Sequence, residues 1–416
     1  MKILVLGSGL LGVTAAYELG RRGHEVAVID RQAVSGAETS FANGGQLSYS
    51  HAEPWANPSV LPKILPWMFR SDAPLVLRPR ADWQMITWGL KFLRNCTVTR
   101  ANANCVNTLR LGLYSKLQME VIRSETGIAF DFSDKGILHI YSTDEDFDTA
   151  KRHNEFQTKF GGEERVLTRE QCIALEPTLA GTSRTIVGGI HAFKDESGDA
   201  YLFCNELAKI AAERHGVQFR YDMSTQRLFV ESNQVVGVKT DKGDITADIY
   251  VMAMGSYSPI YLRSIGINLP IYPMKGYSIT LKANSQCPDI SLTDGTHKIV
   301  YSRLGDRLRV AGTAEFAGHN TNIRQHRIDS IIKVASGLFP GADWNQDIKT
   351  WACLRPSTPD GPPVIGYTPY NNLFLNTGHG TLGWTQAAGS AAILADNIEG
   401  HTPEIMTHGL TMERYL

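Results

Sequence analysis

The chain has 416 residues, of which 43% are hydrophobic, and its 41 basic residues nearly balance its 42 acidic residues. A chain of this length and composition can bury two or three domains' worth of core, and its balanced charge argues against a general attraction to nucleic acid or to an anionic surface. Its six cysteines include no Cys-x-x-Cys pair, which argues against a metal site or a disulfide framework and favours a reducing compartment.

Membrane-crossing segments are not expected. No uninterrupted apolar stretch reaches the roughly 18 residues that a transmembrane helix needs. The apolar run within Met1–Leu19 contains glycines that fit another motif, and no small-residue cleavage site closes it, so we expect no signal peptide. We therefore expect a cytoplasmic protein.

The N-terminal residues predict a β-α-β unit. Lys2–Leu6 is a short run of leucine and β-branched residues, Val13–Arg22 has helical spacing, and Glu25–Ile29 is a second apolar run. Residues 39–48 follow as a loop of glycines and small residues. Residues 54–79 are broken by prolines and predict no regular element.

The middle of the chain predicts helices and then strands. Trp83 to about Gly161 is largely helical apart from a strand at Gly136–Tyr141, and Tyr201–His215 has the spacing of a further helix. Ile249–Met254 predicts a parallel strand that returns to the first sheet, and short strands dominate Tyr272–Thr313.

The C-terminal part predicts a strand at Leu373–Leu375, a glycine-rich turn at Gly378–Gly383 and a closing helix at Thr385–Ile398. Together the elements predict an α/β protein with an α+β second domain: a Rossmann-like dinucleotide-binding domain with an inserted, mostly antiparallel substrate-binding domain. The predicted dinucleotide-binding domain is discontinuous and comprises residues 1–50, 162–258 and 345–416. The predicted substrate-binding domain comprises residues 51–161 and 259–344.

The first turn carries a dinucleotide signature. Gly7, Gly9 and Gly12 form a G-x-G-x-x-G motif between the first strand and the first helix, where the helix N-terminus can hold a pyrophosphate. Asp30 ends the second strand, at the separation expected of a carboxylate that binds a ribose hydroxyl. The residues predicted to bind the dinucleotide here are Gly7, Gly9, Leu10, Leu11, Gly12, Asp30 and Arg31.

Two further glycine-rich segments favour FAD over NAD. Glycines in residues 39–48 allow the backbone to lie against a flat ring, although a flexible connector is the alternative. The turn at Gly378–Gly383 opens a helix and can place its positive end against the electron-rich edge of a reduced flavin. The flavin-contacting residues expected are Ser40, Asn43, Gly44, Gly45, Gln46, Leu47, Gly255, Gly378, His379, Gly380, Thr381 and Leu382.

Over nearly its whole length the sequence resembles the bacterial D-amino acid dehydrogenase family, in particular the small subunit of those enzymes, within the glycine oxidase and D-amino acid oxidase superfamily. GSGLLG at residues 7–12 is shared with many oxidoreductases, whereas LRPSTPDGPPVIG at 354–366 and NTGHGTLGWT at 376–385 are specific. The segments that also carry the resemblance are ETSFANGGQLS, AEPWANPSV, PWMF, GSYS and KGYS.

The resemblance implies a two-domain enzyme with noncovalent FAD. It implies oxidation of a small zwitterionic D-amino acid to a 2-oxo acid and ammonia, by hydride transfer from Cα to flavin N5. The electrons would pass to a quinone or another non-oxygen acceptor. Cys353 lies where some relatives attach their flavin, so a covalent bond there is the alternative.

The resemblance also implies a carboxylate-binding arginine, Arg355, whose planar guanidinium matches a carboxylate bidentately. A structural salt bridge is the alternative for Arg355. Arg303 is a second cationic candidate unless it is a surface residue, and Tyr277 and Tyr301 are candidate phenol donors unless they are strand tyrosines. A general-base role for His379 stays open beside its place in the flavin turn.

Three alternatives remain open at this point. The first is a hydroxyproline or proline dehydrogenase of the same superfamily. The second is a flavin-binding protein that needs a partner for catalysis. The third concerns residues 54–77, which are either a packed loop or a peripheral contact on the inner face of the plasma membrane, with Trp67, Met68 and Phe69 inserted and Lys63 and Arg70 at the headgroups.

Overall fold

The computed structural model describes residues 1–52, 54–62, 75–77 and 82–416. Residues 63–74, which include Lys63, Trp67, Met68, Phe69 and Arg70 of the predicted membrane contact, lie outside the described residues. None of the helices in the described ranges has the length and apolar composition needed to cross a bilayer.

Several of the helices begin where the sequence offers side-chain caps. Asp82 accepts hydrogen bonds from the backbone of Gln84 and Met85 at the start of the second helix, and Thr97 caps the third helix. The α-helices are α1 (Leu10–Arg21), α2 (Trp83–Asn95), α3 (Val98–Thr126), α4 (Asp144–Thr158), α5 (Arg169–Leu175), α6 (Ala200–His215), α7 (Ser258–Arg263), α8 (Gln325–Leu338) and α9 (Gly383–Glu399). Short 3₁₀ helices span Pro58–Val60, Pro177–Gly181, Gly255–Tyr257 and Met412–Tyr415.

The first sheet, called the parallel sheet below, has the strand order β19-β20-β13-β1-β2-β9. Its strands are β1 (Lys2–Leu6), β2 (Glu25–Ile29), β9 (Gln218–Arg220), β13 (Ile249–Met252), β19 (Val364–Tyr367) and β20 (Leu373–Thr377). All neighbours are parallel except β19 and β20. The predicted β-α-β unit and the predicted return of the chain at Ile249–Met254 are therefore confirmed.

The second sheet, called the antiparallel sheet below, has the order β18-β14-β17-β16-β15-β5-β7-β6, with β4 paired to β17. Its strands are β4 (Leu75–Leu77), β5 (Ile137–Tyr141), β6 (Arg165–Thr168), β7 (Gly188–Ala192), β14 (Tyr272–Lys282), β15 (Ser291–Asp294), β16 (Ile299–Leu304), β17 (Arg307–Phe316) and β18 (Lys349–Ser357). Only the β15–β5 and β17–β4 pairs of this sheet are parallel among the described strands. The mostly antiparallel second region is confirmed.

Two small sheets complete the fold of the described residues. One contains β10 (Thr225–Glu231), β11 (Gln234–Thr240) and β12 (Gly243–Ile245), and the other contains β3 (Gln46–Leu47) and β8 (Glu196–Ser197). The latter attaches the predicted flavin loop to the segment before α6.

The strands divide between the two sheets differently from the predicted domain ranges. Strands β6 and β7 and strand β18 belong to the antiparallel sheet, although residues 162–258 and 345–416 were expected to belong to the dinucleotide-binding domain. Helix α3, expected in the other domain, packs against α9. These pairings join residues that are far apart in the chain, and local sequence does not encode them.

The main core surrounds α1. This helix packs between β1, α6 and α9, and its buried residues Val13, Ala16 and Leu19 are fully or almost fully inaccessible. A second core lies between the antiparallel sheet and α8, where Ile328 and Ile331 are buried. The two cores leave the opposite face of the antiparallel sheet free to face the nucleotide end of the parallel sheet.

The third glycine of the first turn is fixed by packing. A Cβ added to Gly12 would lie 1.9 Å from the carbonyl oxygen of Gly7, which is a backbone atom that cannot rotate away. A Cβ added to Gly181, by contrast, meets no atom within 4 Å.

We expect Gly12→Ala to lower the free energy of unfolding by about 1–3 kcal/mol, because overpacking a tight contact costs that much. Gly181→Ala, the matched control, should stay within about 0.5 kcal/mol of the parent protein. Urea denaturation of the three proteins measures both values. Equal free energies of unfolding for Gly12→Ala and Gly181→Ala would show that the first turn and α1 can move apart without a loss of stability.

Candidate active site

A cavity of about 840 Å³ lies between the carboxyl ends of the parallel strands and one face of the antiparallel sheet. The residues that follow β1 and β13, together with the end of β2, line one end, and residues of β14, β16, β17 and β18 line the other. The carboxyl edge of a parallel sheet is the usual position for a dinucleotide, and the cavity therefore brings that edge together with a second wall.

The nucleotide end of the cavity fits the predicted motif. Gly7, Gly9, Leu10 and Leu11 line it, and α1 begins there without a side-chain cap at Gly9. Gly7 has φ +104°, and a Cβ there would lie 2.8 Å from the carbonyl oxygen of Ala253. The uncapped helix end and the bare backbone give the donors and the close approach that a pyrophosphate needs.

Asp30 lies at this end with its carboxylate already oriented. Its Oδ2 accepts hydrogen bonds from the Ser8 backbone nitrogen at 2.6 Å and from Ser8 Oγ at 2.9 Å, while its Oδ1 accepts from the Gln32 backbone nitrogen at 2.8 Å. A carboxylate has about four acceptor positions, so capacity remains for a ribose hydroxyl. Arg31 also lines the cavity and pairs with Glu38 at 2.5 Å.

The predicted flavin loop is clamped onto the antiparallel sheet. Ser278 Oγ donates to the carbonyl of Ala42 at 2.7 Å, and Ser302 Oγ donates to the carbonyl of Gly44 at 2.7 Å. A Cβ on Gly44 would lie 2.7 Å from Val300 Cγ2, so glycine is required for this contact. The predicted residues of the loop that line the cavity are Ser40, Asn43, Gly44, Gly45 and Gln46.

Two predicted cofactor residues do not line the cavity. Leu47 is fully buried in the core around α1, because its side chain alternates with that of Gln46 along β3. Gly12 acts through packing of α1 on the first turn, as described above, and not through a contact with the ligand.

The C-terminal turn forms the opposite wall. Gly378 and Gly380 have φ values of +83° and +52°, and the Gly380 backbone nitrogen donates to the carbonyl of Pro356 at 2.9 Å. Thr381 and Leu382 line the cavity, and α9 begins at the next residue without a side-chain cap. Gly255, after β13, completes this wall.

His379 is a buried neutral imidazole. Burial lowers its pKa to about 3, and its Nε2 lies 2.9 Å from Ser390 Oγ. Its Nδ1 has no hydrogen-bond partner among the described residues. The ring is thus a hydrogen-bonding group at the cavity wall and takes up no proton near neutral pH.

Arg355 places a cation in the cavity with no counter-ion among the described residues. Its guanidinium lies over Gly276, where a Cβ would be 2.6 Å from one of its terminal nitrogens. Arg355 makes no ion pair with any carboxylate in the described part of the chain. Burial lowers its pKa to about 10, which still leaves it charged at neutral pH. A small anion in the cavity would supply the missing charge.

The polar groups of the other predicted substrate residues are directed elsewhere, although Tyr277 is among the residues that line the cavity. The Tyr277 hydroxyl donates to Glu315 Oε2 at 2.6 Å, and the Tyr301 ring packs on Phe339 at 5.3 Å in the core beneath α8. Arg303 donates to backbone carbonyls of the 284–288 loop.

Strand alternation explains the directions of these side chains. Ser278 and Ser302 bind the predicted flavin loop, so the side chains of their neighbours Tyr277, Tyr301 and Arg303 project from the opposite face of the sheet. Among the candidate catalytic residues in the described ranges, Arg355, His379 and Tyr277 line the cavity, and the Tyr277 hydroxyl is held by Glu315.

A polar group that the sequence analysis missed lies in the same cavity. His51 and His139 line it, their rings stack at 4.2 Å, and His51 Nδ1 lies 3.3 Å from Glu164 Oε1. Burial lowers the pKa of His139 to about 3, whereas the Glu164 pKa is lowered to about 2 by His51, against the opposing effect of burial. The three residues are far apart in the sequence; the only local signal was a histidine inside the apolar strand Ile137–Tyr141.

Cys353 lies at the cavity wall as a thiol. Burial raises its pKa to about 11, and its Sγ lies 3.3 Å from Thr39 Oγ1. A thiol with a raised pKa is a poor nucleophile, which does not favour a covalent bond to a cofactor.

Comparison with known proteins gives a consistent result. The sequence profile of the DAO family, described as FAD dependent oxidoreductase, matches residues 2–397. A D-amino acid dehydrogenase of Dechloromonas aromatica (strain RCB) is 47% identical over 97% of this chain and 98% of that protein. A protein of the same name from Paramagnetospirillum magneticum is 47% identical over 100% of this chain and 99% of that protein.

Solved structures show the same fold. An L-proline dehydrogenase from P. horikoshii superposes with a TM-score of 0.77 at 20% identity, covering 100% of this chain and 97% of that one. A glycine oxidase from Bacillus cereus ATCC 14579 has a TM-score of 0.74 at 23% identity, covering 98% of this chain and 97% of that one. The glycine turn, the clamped loop and the uncapped helix ends fit the cofactor of this family, and the chain belongs to the DAO family of FAD-dependent oxidoreductases.

Proposed function

We propose that this protein is a D-amino acid dehydrogenase, which oxidises a D-amino acid to an imino acid that water converts to a 2-oxo acid and ammonia. The observation that carries the proposal is Arg355, a cation with no carboxylate partner among the described residues, in the cavity that the flavin loop also lines. The names of relatives that are 47% identical over nearly the whole chain support the choice of substrate.

Arg355 binds the substrate carboxylate in this proposal. A guanidinium offers two parallel N–H donors, and the contact with Gly276 holds its plane against β14. A bound carboxylate fixes the direction of the substrate Cα–H bond. The bond that reacts is therefore already oriented when the substrate binds. Bound FAD supplies the acceptor for the hydride that leaves Cα.

His379 acts as a neutral hydrogen-bonding group and not as the base. Its pKa of about 3 leaves it unprotonated throughout the physiological range, and its Nε2 contacts Ser390. Hydride loss from an amino acid with a neutral amine requires only that the ammonium proton has already gone to solvent. The protein then needs no acid-base pair to remove a proton from Cα.

The electrons pass to a quinone or another non-oxygen acceptor. The relatives that are 47% identical are named dehydrogenases. A dehydrogenase must pass the electrons from its reduced cofactor to a separate oxidant. We also propose that FAD is held without a covalent bond, which the raised pKa of the Cys353 thiol supports.

An anaerobic screen tests the reaction. We expect D-amino acids to bleach the flavin absorbance of the purified holoprotein, while L-amino acids leave it oxidised, and we expect acid denaturation to release the flavin. Bleaching by proline or hydroxyproline alone would replace the proposal with a cyclic-amine dehydrogenase. A flavin that no amino acid reduces would indicate a protein that needs a partner for catalysis.

Arg355→Ala should lower kcat/KM for the D-amino acid, because a charged bidentate contact is lost. We expect a loss of about 2–5 kcal/mol in transition-state stabilisation. Arg355→Lys should lose less transition-state stabilisation, since lysine keeps the positive charge but lacks the two parallel N–H donors. Both variants should still bind FAD. Arg303→Ala is the matched control and should keep the parent kinetics, because Arg303 binds a loop on the other side of the sheet.

His379→Gln should change the dependence of stability on pH. The folded-state pKa is about 3 and the unfolded-state value is about 6.5, so below pH 6.5 the unfolded chain binds a proton that the folded protein does not. His379 therefore makes the parent protein lose stability as the pH falls from about 6.5 towards 3.

The variant lacks this titrating group, so we expect the stability advantage of the parent over His379→Gln to shrink by about 2 kcal/mol between pH 7 and pH 5. Urea denaturation at the two pH values measures it. His401→Gln, at a histidine whose side chain is 67% exposed, is the control. A difference that stays constant would mean that folding does not lower the pKa of His379.

A further inference from the structure

Helix α2 (Trp83–Asn95) has two apolar faces. Its inner face buries Met85, Trp88 and Phe92, and the Trp88 indole nitrogen donates to the carbonyl of Ser357 at 2.8 Å. Trp88 also packs on Phe316, with ring centroids 4.9 Å apart. The inner face is thus an ordinary core contact that anchors the helix to the rest of the protein.

The outer face of α2 is apolar and exposed. Trp83, Ile86, Leu90 and Leu93 are 74%, 45%, 62% and 48% exposed. Their spacing of three, four and three residues places them in one stripe along the helix. A contiguous exposed apolar stripe is not needed for folding, because the inner face already supplies the packing, and such a stripe marks an interaction surface.

The charges around the stripe select the kind of surface. Lys91 and Arg94 are exposed beside it on α2, and Arg100 is exposed in the first turn of α3. The carboxylate of Asp82 is occupied by the helix cap and by the Tyr272 hydroxyl at 2.8 Å. A short helix with a tryptophan, an apolar stripe and flanking cations has the composition of helices that lie in the interface of a bilayer.

An apolar chamber of about 310 Å³ lies under the inner face of the same helix. Met85, Trp88, Gly89 and Phe92 of α2 form one side of it. The turn at residues 379–382 forms another side, and this turn also lines the large cavity. The chamber therefore lies between α2 and the wall of the large cavity, and Leu93 belongs both to its lining and to the outer stripe.

We propose that α2 docks on a lipid bilayer through its outer stripe and that the chamber beneath it admits a membrane-dissolved quinone to the cofactor. The proposal rests on the proposed function, which requires a non-oxygen oxidant. In each turnover the quinone would take up the two electrons that oxidation of the amino acid releases, together with two protons, and would leave as the quinol.

The chemistry of the chamber separates this ligand from the amino acid. A zwitterionic substrate needs charged partners, and Arg355 offers one in the large cavity. The lining of the chamber is mostly apolar, with hydroxyl groups as its other polar side chains and no Asp, Glu, Lys or Arg among the described residues, and His379 at its edge is neutral. An uncharged ring that dissolves in lipid is the ligand that gains free energy by entering such a space.

Vesicle binding tests the docking surface. The holoprotein should co-sediment with vesicles of phosphatidylcholine and phosphatidylglycerol, and the triple variant Trp83→Ser, Ile86→Ser, Leu90→Ser should bind at least about tenfold more weakly. The control is Leu117→Ser with Val121→Ser, at exposed apolar positions 58% and 36% accessible on α3. Absence of vesicle binding by the parent protein, or equal losses in both variants, would overturn the docking surface.

Gly89→Leu tests the chamber. Gly89 lines the chamber, and a Cβ added there meets no atom within 4 Å, so the position accepts the first atom of a larger side chain. We expect at least a fivefold weaker quenching of tryptophan fluorescence by a short-chain quinone and a similar rise in the KM for quinone. Gly89→Ala, which adds only the Cβ, should resemble the parent protein.

A soluble dye as acceptor separates the possible failures. Turnover with the dye and the KM for the amino acid should change less than about twofold in Gly89→Leu. Unchanged quinone binding in Gly89→Leu would overturn the quinone assignment. A rise in the KM for the amino acid that depends on which amino acid is used would also overturn it. A parent protein that no amino acid reduces would instead refute the proposed function, while vesicle binding and quinone quenching would still report on α2.

Discussion

The active site depends on a set of hydrogen bonds between the antiparallel sheet and three consecutive backbone carbonyls. Ser278, Arg309 and Ser302 donate to the carbonyls of Ala42, Asn43 and Gly44 at 2.7, 3.0 and 2.7 Å. These bonds fix the loop to one wall while the first turn holds the other. The cavity exists because the two sheets meet through this loop at a fixed separation.

The local parts of the fold could be predicted from the sequence. Glycines at fixed spacing, a terminal carboxylate and clear apolar runs identify the first β-α-β unit, and the closing helix follows from the turn before it. These features depend on neighbours in the chain. The assignment of β18 to the antiparallel sheet depends instead on pairing with β14, about 75 residues earlier, and no local pattern carries it.

The orientation of strand residues could not be predicted for a different reason. Strand β14 is buried on both faces along nearly its whole length, so its sequence lacks the alternation of apolar and polar residues that reveals the inner side. Tyr277 lines the cavity, but its hydroxyl, expected at the substrate, contacts Glu315. Arg355 also lines the cavity, and it was identified by its motif and not by its strand pattern.

The strand that carries Arg355 and the turn that carries His379 are joined by hydrogen bonds as well as by the chain. Ser357 and His379 form an isolated antiparallel bridge, and Gly380 donates to Pro356. A change in the length of the intervening segment would shift Arg355 relative to the turn that carries His379. Substitutions that keep the shape of the cavity must therefore suit both segments at once, whereas His51 and His139 line the cavity outside this pairing.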